Sequence, residues 1–231
     1  SKTLIFQLIN AHFSKVAPQL KKNMRYYDGK HSILRREKSD DNAPNNKIVC
    51  NHAKDITDTA TGYFMSSALT FKCSDKKMDI DTLTDAFDKG GVDEIDHDNA
   101  LDMSRLGCAY EYVYPKKSTN DLTSKNLSPL TTFYVYDDTI EENVLFAVYY
   151  DRIKDDSSGK YAYIAYVFTE HYRYRYTLYG DIERDREEIK EPHNMGDIPI
   201  ILYQNNKDCI GDYEQQISLI DAYNTLMSCL L

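Results

Sequence analysis

Tryptophan is missing from the 231 residues, no two cysteines are spaced C-x-x-C, and no apolar run approaches the thickness of a bilayer. Each absence excludes something. The cysteines, Cys50, Cys73, Cys108, Cys209 and Cys229, are odd in number and far apart, which points to a reducing compartment rather than a disulfide framework. Without about 18 consecutive apolar residues no membrane-spanning helix is expected. The early LIFQLINAHF is interrupted by Gln7, Asn10 and His12, so it does not read as a signal peptide. Catalytic signatures are missing too: there is no G-x-x-x-x-G-K-[ST], no glycine fingerprint after a strand, no H-E-x-x-H and no G-x-S-x-G. Nucleotide hydrolysis and serine chemistry have no support, and neither a cofactor nor a resident metal is expected. Positive charge is in deficit, 28 Lys and Arg against 37 Asp and Glu, for a net charge of −9. That balance opposes a protein that grips nucleic-acid phosphates, but not one that DNA slides past.

What the chain does contain is enough apolar residue, 42%, for an ordinary globular core, in one large domain or two small ones. A soluble protein is expected. The period of the pattern changes near residue 107. Before it, Ile5, Leu8, Ile9, His12, Phe13 and Val16 recur at helical spacing, and Pro18 can open a second helix that carries Leu20 and Met24 and stops at Gly29. Residues 31–41 are charged and loop-like. A third helical stretch runs from Ile48 to about Ser67, a short strand is expected at Leu69 to Phe71, and two acidic helices flank Gly90 and Gly91, the second ending at Leu106–Gly107.

After residue 107 the pattern alternates. CAYEYVYP sets Tyr110, Tyr112 and Tyr114 on one face and Glu111 and Val113 on the other. The polar stretch from Lys116 to Ser128 is expected to be an exposed hairpin loop. TFYVYDDTIEENVLFAVYYDR reads strand, acidic turn, strand; YAYIAYVFTEHYRYRYTLYG continues the sheet; residues 181–191 are a turn region with room for an edge strand; IPIILYQ is a last short strand. Most of the 20 tyrosines fall in this half, and half-buried strand positions account for them. The expected class is α+β, with N-terminal helices followed by an antiparallel tyrosine-rich sheet and the start of a long helix.

Two clusters invite a chemical reading. VDEIDHDN gathers Asp93, Glu94, Asp96, His97 and Asp98, but it lacks the glycine and distal glutamate of a calcium loop, and on a helix these side chains splay over several faces. A solvated acidic face accounts for it better. Asp137–Asp138 and Glu141–Glu142 suit turn chemistry. HYRYRYTLY interleaves Arg173 and Arg175 with Tyr172, Tyr174 and Tyr176, the ingredients of single-strand binding. Strand alternation puts the two kinds on opposite faces, so a structural role is favoured. Lys21, Lys22, Arg25, Arg35, Arg36 and Lys38 are too mixed with other residues to specify nucleic acid, and the six histidines share no ligand spacing.

The closing GDYEQQISLIDAYNTLMSCLL opens with Asp212 placed to cap a helix and Glu214 adding charge at its positive end. Tyr213, Ile217, Ile220, Tyr223, Met227 and Leu230 then form one apolar stripe, and no glycine, basic residue or proline marks a stop. Two readings fit: a helix that continues further, or a terminal helix docked on its own core.

Whole strings carry more than any motif. RYYDGKHSILRR, PNNKIVCNHAKDITDTATGYF, LGCAYEYVY, FYVYDDTIEENVLFAVYY and MGDIPIILYQNNKDCIGDYEQQISLIDAYNTLMS, in this order, resemble the portal proteins of long-tailed bacteriophages and prophages. SSALTF departs from the Gly-Lys-Pro expected there, which touches one local turn. The resemblance implies a structural subunit of a ring, usually a dodecamer, at one capsid vertex, and no enzyme. It implies a conduit for packaging and ejection of double-stranded DNA without tight binding, and partners that include other portal subunits, the terminase motor, the head-tail adaptor, and capsid and scaffold proteins, with no membrane. The implied location is the virion, and host cytoplasm during assembly. Family members are about twice this length, so the chain corresponds to the N-terminal half: residues 1–106 the mainly helical part of the wing, 107–211 its β part, 212–231 the start of a stem helix. Tyr223, Leu226, Met227 and Leu230 are then the expected oligomer contacts. The alternative of another class is a nucleic-acid-processing enzyme domain using an acidic metal site, which metal-dependent cleavage would reveal.

Overall fold

In the computed structural model, residues 1–37, 45–74, 80–117, 119, 121–154, 159, 161–181 and 183–230 are described. Six α-helices and eight strands are found among them: α1 (Lys2–Ala11), α2 (Ala17–Tyr27), α3 (His52–Phe64), α4 (Asp81–Gly90), α5 (Val92–Leu106), β1 (Cys108–Pro115), β2 (Leu122–Leu127), β3 (Thr132–Tyr136), β4 (Val144–Lys154), β5 (Tyr161–Phe168), β6 (Tyr172–Leu178), β7 (Arg186–Pro192), β8 (Ile200–Gln204) and α6 (Ile217–Leu230). The class is α+β, as expected, but the strands divide into two antiparallel sheets rather than one, in the orders β2-β1-β8 and β3-β4-β5-β6-β7.

Three local expectations need correction. Pro18 opens the second helix as expected, but Val16 does not stay on the buried stripe: His12–Val16 forms one π-helical turn that joins α1 directly to α2. Pro18 has no N–H to close the preceding turn, and the widened turn rotates the apolar stripe, so Ala17 is fully buried while Val16 is 45% exposed. Residues 69–71 are irregular rather than a strand, held by the contact of Phe71 with Phe87 at 4.8 Å between ring centroids. The polar segment expected to be a loop contains β2, which pairs with β1 from Tyr110↔Leu127 to Pro115↔Leu122. Its alternation is weak because only Thr123 and Leu127 face inward.

The five-stranded sheet has two covered faces. On one, Ile5 and Ile9 of α1 meet Val148, Tyr150, Tyr163, Ala165, Val167, Tyr176 and Leu178. On the other, Ala147 and Phe168 meet Cys108, Tyr110, Leu127 and Ile200 of the small sheet. Neighbouring residues of one strand therefore serve opposite cores, the period-2 rule at work. A third cluster joins Tyr26, Ala53, Tyr213, Ile217 and Ile220, drawn from α2, α3 and α6 and the turn before it. The exposed edge is β7, whose REEIKEP is charged enough to discourage edge pairing.

The helical and strand parts meet at Gly107. Its φ is +86°, and a Cβ there would lie 1.9 Å from the Cys209 carbonyl oxygen. The loop leading to α6 crosses at this point: Asn205 N–H donates to Gly107 O at 2.9 Å, and Asp212 N–H donates to Ser104 O at 2.7 Å. Glycine is required both for the backbone angle and for the close approach.

Candidate functional site

The last helix carries the residues that the sequence singled out, and its surroundings explain its two faces. Asp212 does not cap it. Its carboxylate accepts from Ser104 Oγ at 2.6 Å and Asn205 Nδ2 at 2.8 Å, while Glu214 accepts from Asn23 Nδ2 at 2.7 Å and the Tyr213 hydroxyl donates to Asn23 O at 2.7 Å. A 3-10 turn, Glu214–Gln216, then leads into α6. Side chains expected to cap the helix instead tie its start to α2 and α5.

The expected single stripe is two stripes. Tyr213, Ile217 and Ile220 are buried, but the inward face continues through Asn224 and Ser228. Leu219, Tyr223, Leu226 and Leu230 recur at four-, three- and four-residue intervals on the opposite side, with exposures of 66, 41, 56 and 69%. Met227 lies between the two faces and is half-buried. Tyr223 and Leu230 therefore do not extend the Ile217–Ile220 stripe. Leu219, absent from the expected contact set, belongs with the exposed one. Its signal was the four-residue interval to Tyr223.

Buried polar residues hold the inward face. His31 is fully buried and stacks on Tyr26 with ring centroids 4.7 Å apart. Its Nε2 lies 2.9 Å from the Tyr26 carbonyl oxygen, which can only accept, so Nε2 carries the proton and Nδ1 accepts from Asn224 Nδ2 at 2.8 Å. The Asn224 Oδ1 atom accepts from Cys50 N–H at 2.8 Å, and Ser228 Oγ accepts from Ile48 N–H at 3.0 Å. The Tyr26 hydroxyl donates to Asp221 at 2.6 Å, and burial followed by this bond raises its pKa. The Asn224 and Ser228 bonds satisfy two backbone amides and a ring nitrogen that would otherwise be left unpaired beneath α6. A polar residue at the inward spacing, three or four residues after Ile220, was the readable sign of this network.

The other singled-out residues are scattered. Asp93, Glu94, His97 and Asp98 are exposed on α5, Asp96 is half-buried, and no group of three potential metal ligands exists among the described residues. Asp137 organises the β3–β4 turn, accepting from Thr139 Oγ1 at 2.7 Å and Asn143 N–H at 3.1 Å, and these bonds lower its pKa. Arg173 pairs with Glu191 at 2.5 Å and Arg175 pairs with Glu188, both on the neighbouring edge strand, while Lys190 lies 4.4 Å above the Tyr172 ring. The interleaved strand is thus occupied within the sheet. Of the basic residues, Lys21 covers the Phe13 ring at 4.6 Å and Arg25 donates to Lys30 O at 3.3 Å; Lys38 lies outside the described residues. All five cysteines are free, and burial pushes the Cys108 thiol up to about 12. No helix among the described residues is long and apolar enough to cross a membrane.

Comparison with known proteins gives a consistent result. The portal protein of Bacillus phage SPP1 is 26% identical over 249 aligned positions, covering 98% of this chain and 48% of that protein. The chain spans about half the length of this curated relative. The profile of the family described as phage portal protein, SPP1 Gp6-like, matches residues 7–231. With nearly every residue inside that match, the chain belongs to the phage portal protein family.

Proposed function

We propose that this chain is the N-terminal half of a portal subunit, with residues 1–106 and 107–211 forming its wing and 212–231 opening its stem. In the assembled ring at one capsid vertex, double-stranded DNA passes through during packaging and ejection, and the terminase motor, head-tail adaptor, capsid and scaffold proteins are its partners. The role is structural, in the virion and in the host cytoplasm during assembly, and it uses no catalytic centre.

One observation carries this reading: α6 is anchored on one face by apolar packing and buried hydrogen bonds, yet shows Leu219, Tyr223, Leu226 and Leu230 in a row on the other. A helix face of this kind is suited to a neighbouring subunit. Subunits around a ring meet through unlike surfaces, and each contact must be apolar enough to offset association entropy. The net charge of −9 supports a conduit that does not retain DNA.

The test is the mass in solution of a chain extended through the whole stem, with Leu226→Asp and Leu230→Asp in the same background. A ring that the substitutions dissociate into subunits that keep their helical and strand circular dichroism is the expected outcome. A ring indifferent to both would move the contact elsewhere. Metal-dependent DNA cleavage that disappeared with Asp96→Asn would favour an enzyme instead.

A further inference from the structure

A cavity of about 260 Å³ opens between α4, the start of α5 and the face of the small sheet turned away from the tyrosine core. Its walls are Phe71, Phe87, Val92, Leu122 and Ile201, and Phe71, Leu122 and Ile201 are 42, 39 and 42% exposed. Apolar side chains this size, gathered at one mouth, leave a wet hydrophobic rim. The floor is of the opposite character. Glu111, 6% exposed on β1, accepts at Oε2 from the Tyr203 hydroxyl at 2.8 Å and from Asn99 Nδ2 at 3.3 Å. Beside it, Asp96 Oδ2 is out of contact with solvent and has no hydrogen-bond partner.

Two carboxylates at the end of an apolar cleft are an unstable arrangement when the cleft holds only water. Glu111 is held by neutral donors, and Asp96 receives nothing at Oδ2. Burial, then the charges of Glu111 and Asp93, raises the Asp96 pKa. A cation that also carries an apolar stem complements both parts of this cleft. A guanidinium fits better than an ammonium, because its planar donors can span two carboxylates and stack on the Phe87 and Phe71 rings.

We infer that this cleft receives an arginine side chain from a protein partner, its methylenes against Phe71, Phe87 and Leu122 and its guanidinium at Asp96 and Glu111. The inference stands on this cleft alone and does not depend on ring formation through α6. No ion pair to Asp96 or Glu111 exists among the described residues.

The probe is N-butylguanidinium, with N-butylurea as its neutral isostere, titrated into the protein by calorimetry and followed by amide chemical shifts. N-butylguanidinium is expected to bind at least about tenfold more tightly than the urea, a difference of roughly 1.4 kcal/mol, and to shift the amides of Asp96, Glu111 and Tyr203. Asp96→Asn is expected to remove that preference and to raise the melting temperature, because it relieves an unpaired carboxylate. Equal binding of the two probes, no binding of either, or a preference unchanged in Asp96→Asn would overturn the inference. A lower melting temperature in Asp96→Asn would also overturn it, since the carboxylate would then already have a partner within the chain.

Discussion

The Asn224 side-chain amide donates to His31 Nδ1 at 2.8 Å, and neither residue retains solvent exposure. One side chain of α6 thus completes the hydrogen bonding of a buried imidazole and, through Oδ1, of the Cys50 backbone amide. Asn224→Leu preserves the size and leaves both partners unsatisfied in the interior. A loss of about 3 kcal/mol is expected, from the cost of roughly 1–3 kcal/mol per stranded polar group. Urea unfolding measures it, and a loss below about 1 kcal/mol would mean that water replaces the amide.

Gly107→Ala tests the joint between the helical and strand parts. The new methyl carbon would meet a carbonyl oxygen at 1.9 Å, in a backbone region that alanine avoids. A loss above about 3 kcal/mol is expected, well beyond the ordinary effect of one methyl group. Gly62→Ala, in the last turn of α3 with open space around its Cβ position, is the contrast and should be neutral or stabilising by up to about 1 kcal/mol.

Acid sensitivity has an identifiable source in His12. This ring stacks on Phe133 at 4.8 Å, meets the Tyr150 hydroxyl at 3.0 Å and is 8% exposed; burial lowers its pKa from 6.5 to about 4. The unfolded chain therefore takes up this proton first as the pH falls. The contribution is complete above about pH 6.5, is lost on the way down to about pH 4 and changes no further below that. Its size is on the order of 3 kcal/mol. His12→Phe keeps the stacking and removes the proton site, so its stability should vary less over this window by up to one proton. A slope equal to the parent's would assign the acid sensitivity to the carboxylates.

Arg173 and Arg175 are committed to Glu191 and Glu188, so Arg173→Ala/Arg175→Ala should leave single-stranded DNA retention at physiological salt unchanged and weak. Fluorescence anisotropy of a labelled strand reads it. Stability should fall by about 1 kcal/mol per broken pair. Tight binding lost in the double variant would return this strand to a nucleic-acid role.

Strand alternation, glycine stops and helical spacing determined most of the elements, because these patterns report the local geometry that each side chain needs. CAYEYVYP, the β3–β4 hairpin around Asp137 and the helix ending at Gly107 were all legible for that reason. Tyr223, Leu226, Met227 and Leu230 follow from the family resemblance rather than from their spacing, which sets Tyr223 and Leu230 on the inward stripe; Tyr223, Leu226 and Leu230 are in fact exposed. Partnership was not legible. Which strands pair into which sheet, why residues 122–127 form a strand at all, and which apolar spacing of α6 faces inward depend on residues far away in sequence. Asn224 is inward because His31 and Cys50 await it there, nearly two hundred residues back. Asp212 is drawn from the helix cap by Ser104. Tertiary structure decided these points because a hydrogen bond or a packed face is a property of two segments, and the sequence displays only one of them at a time.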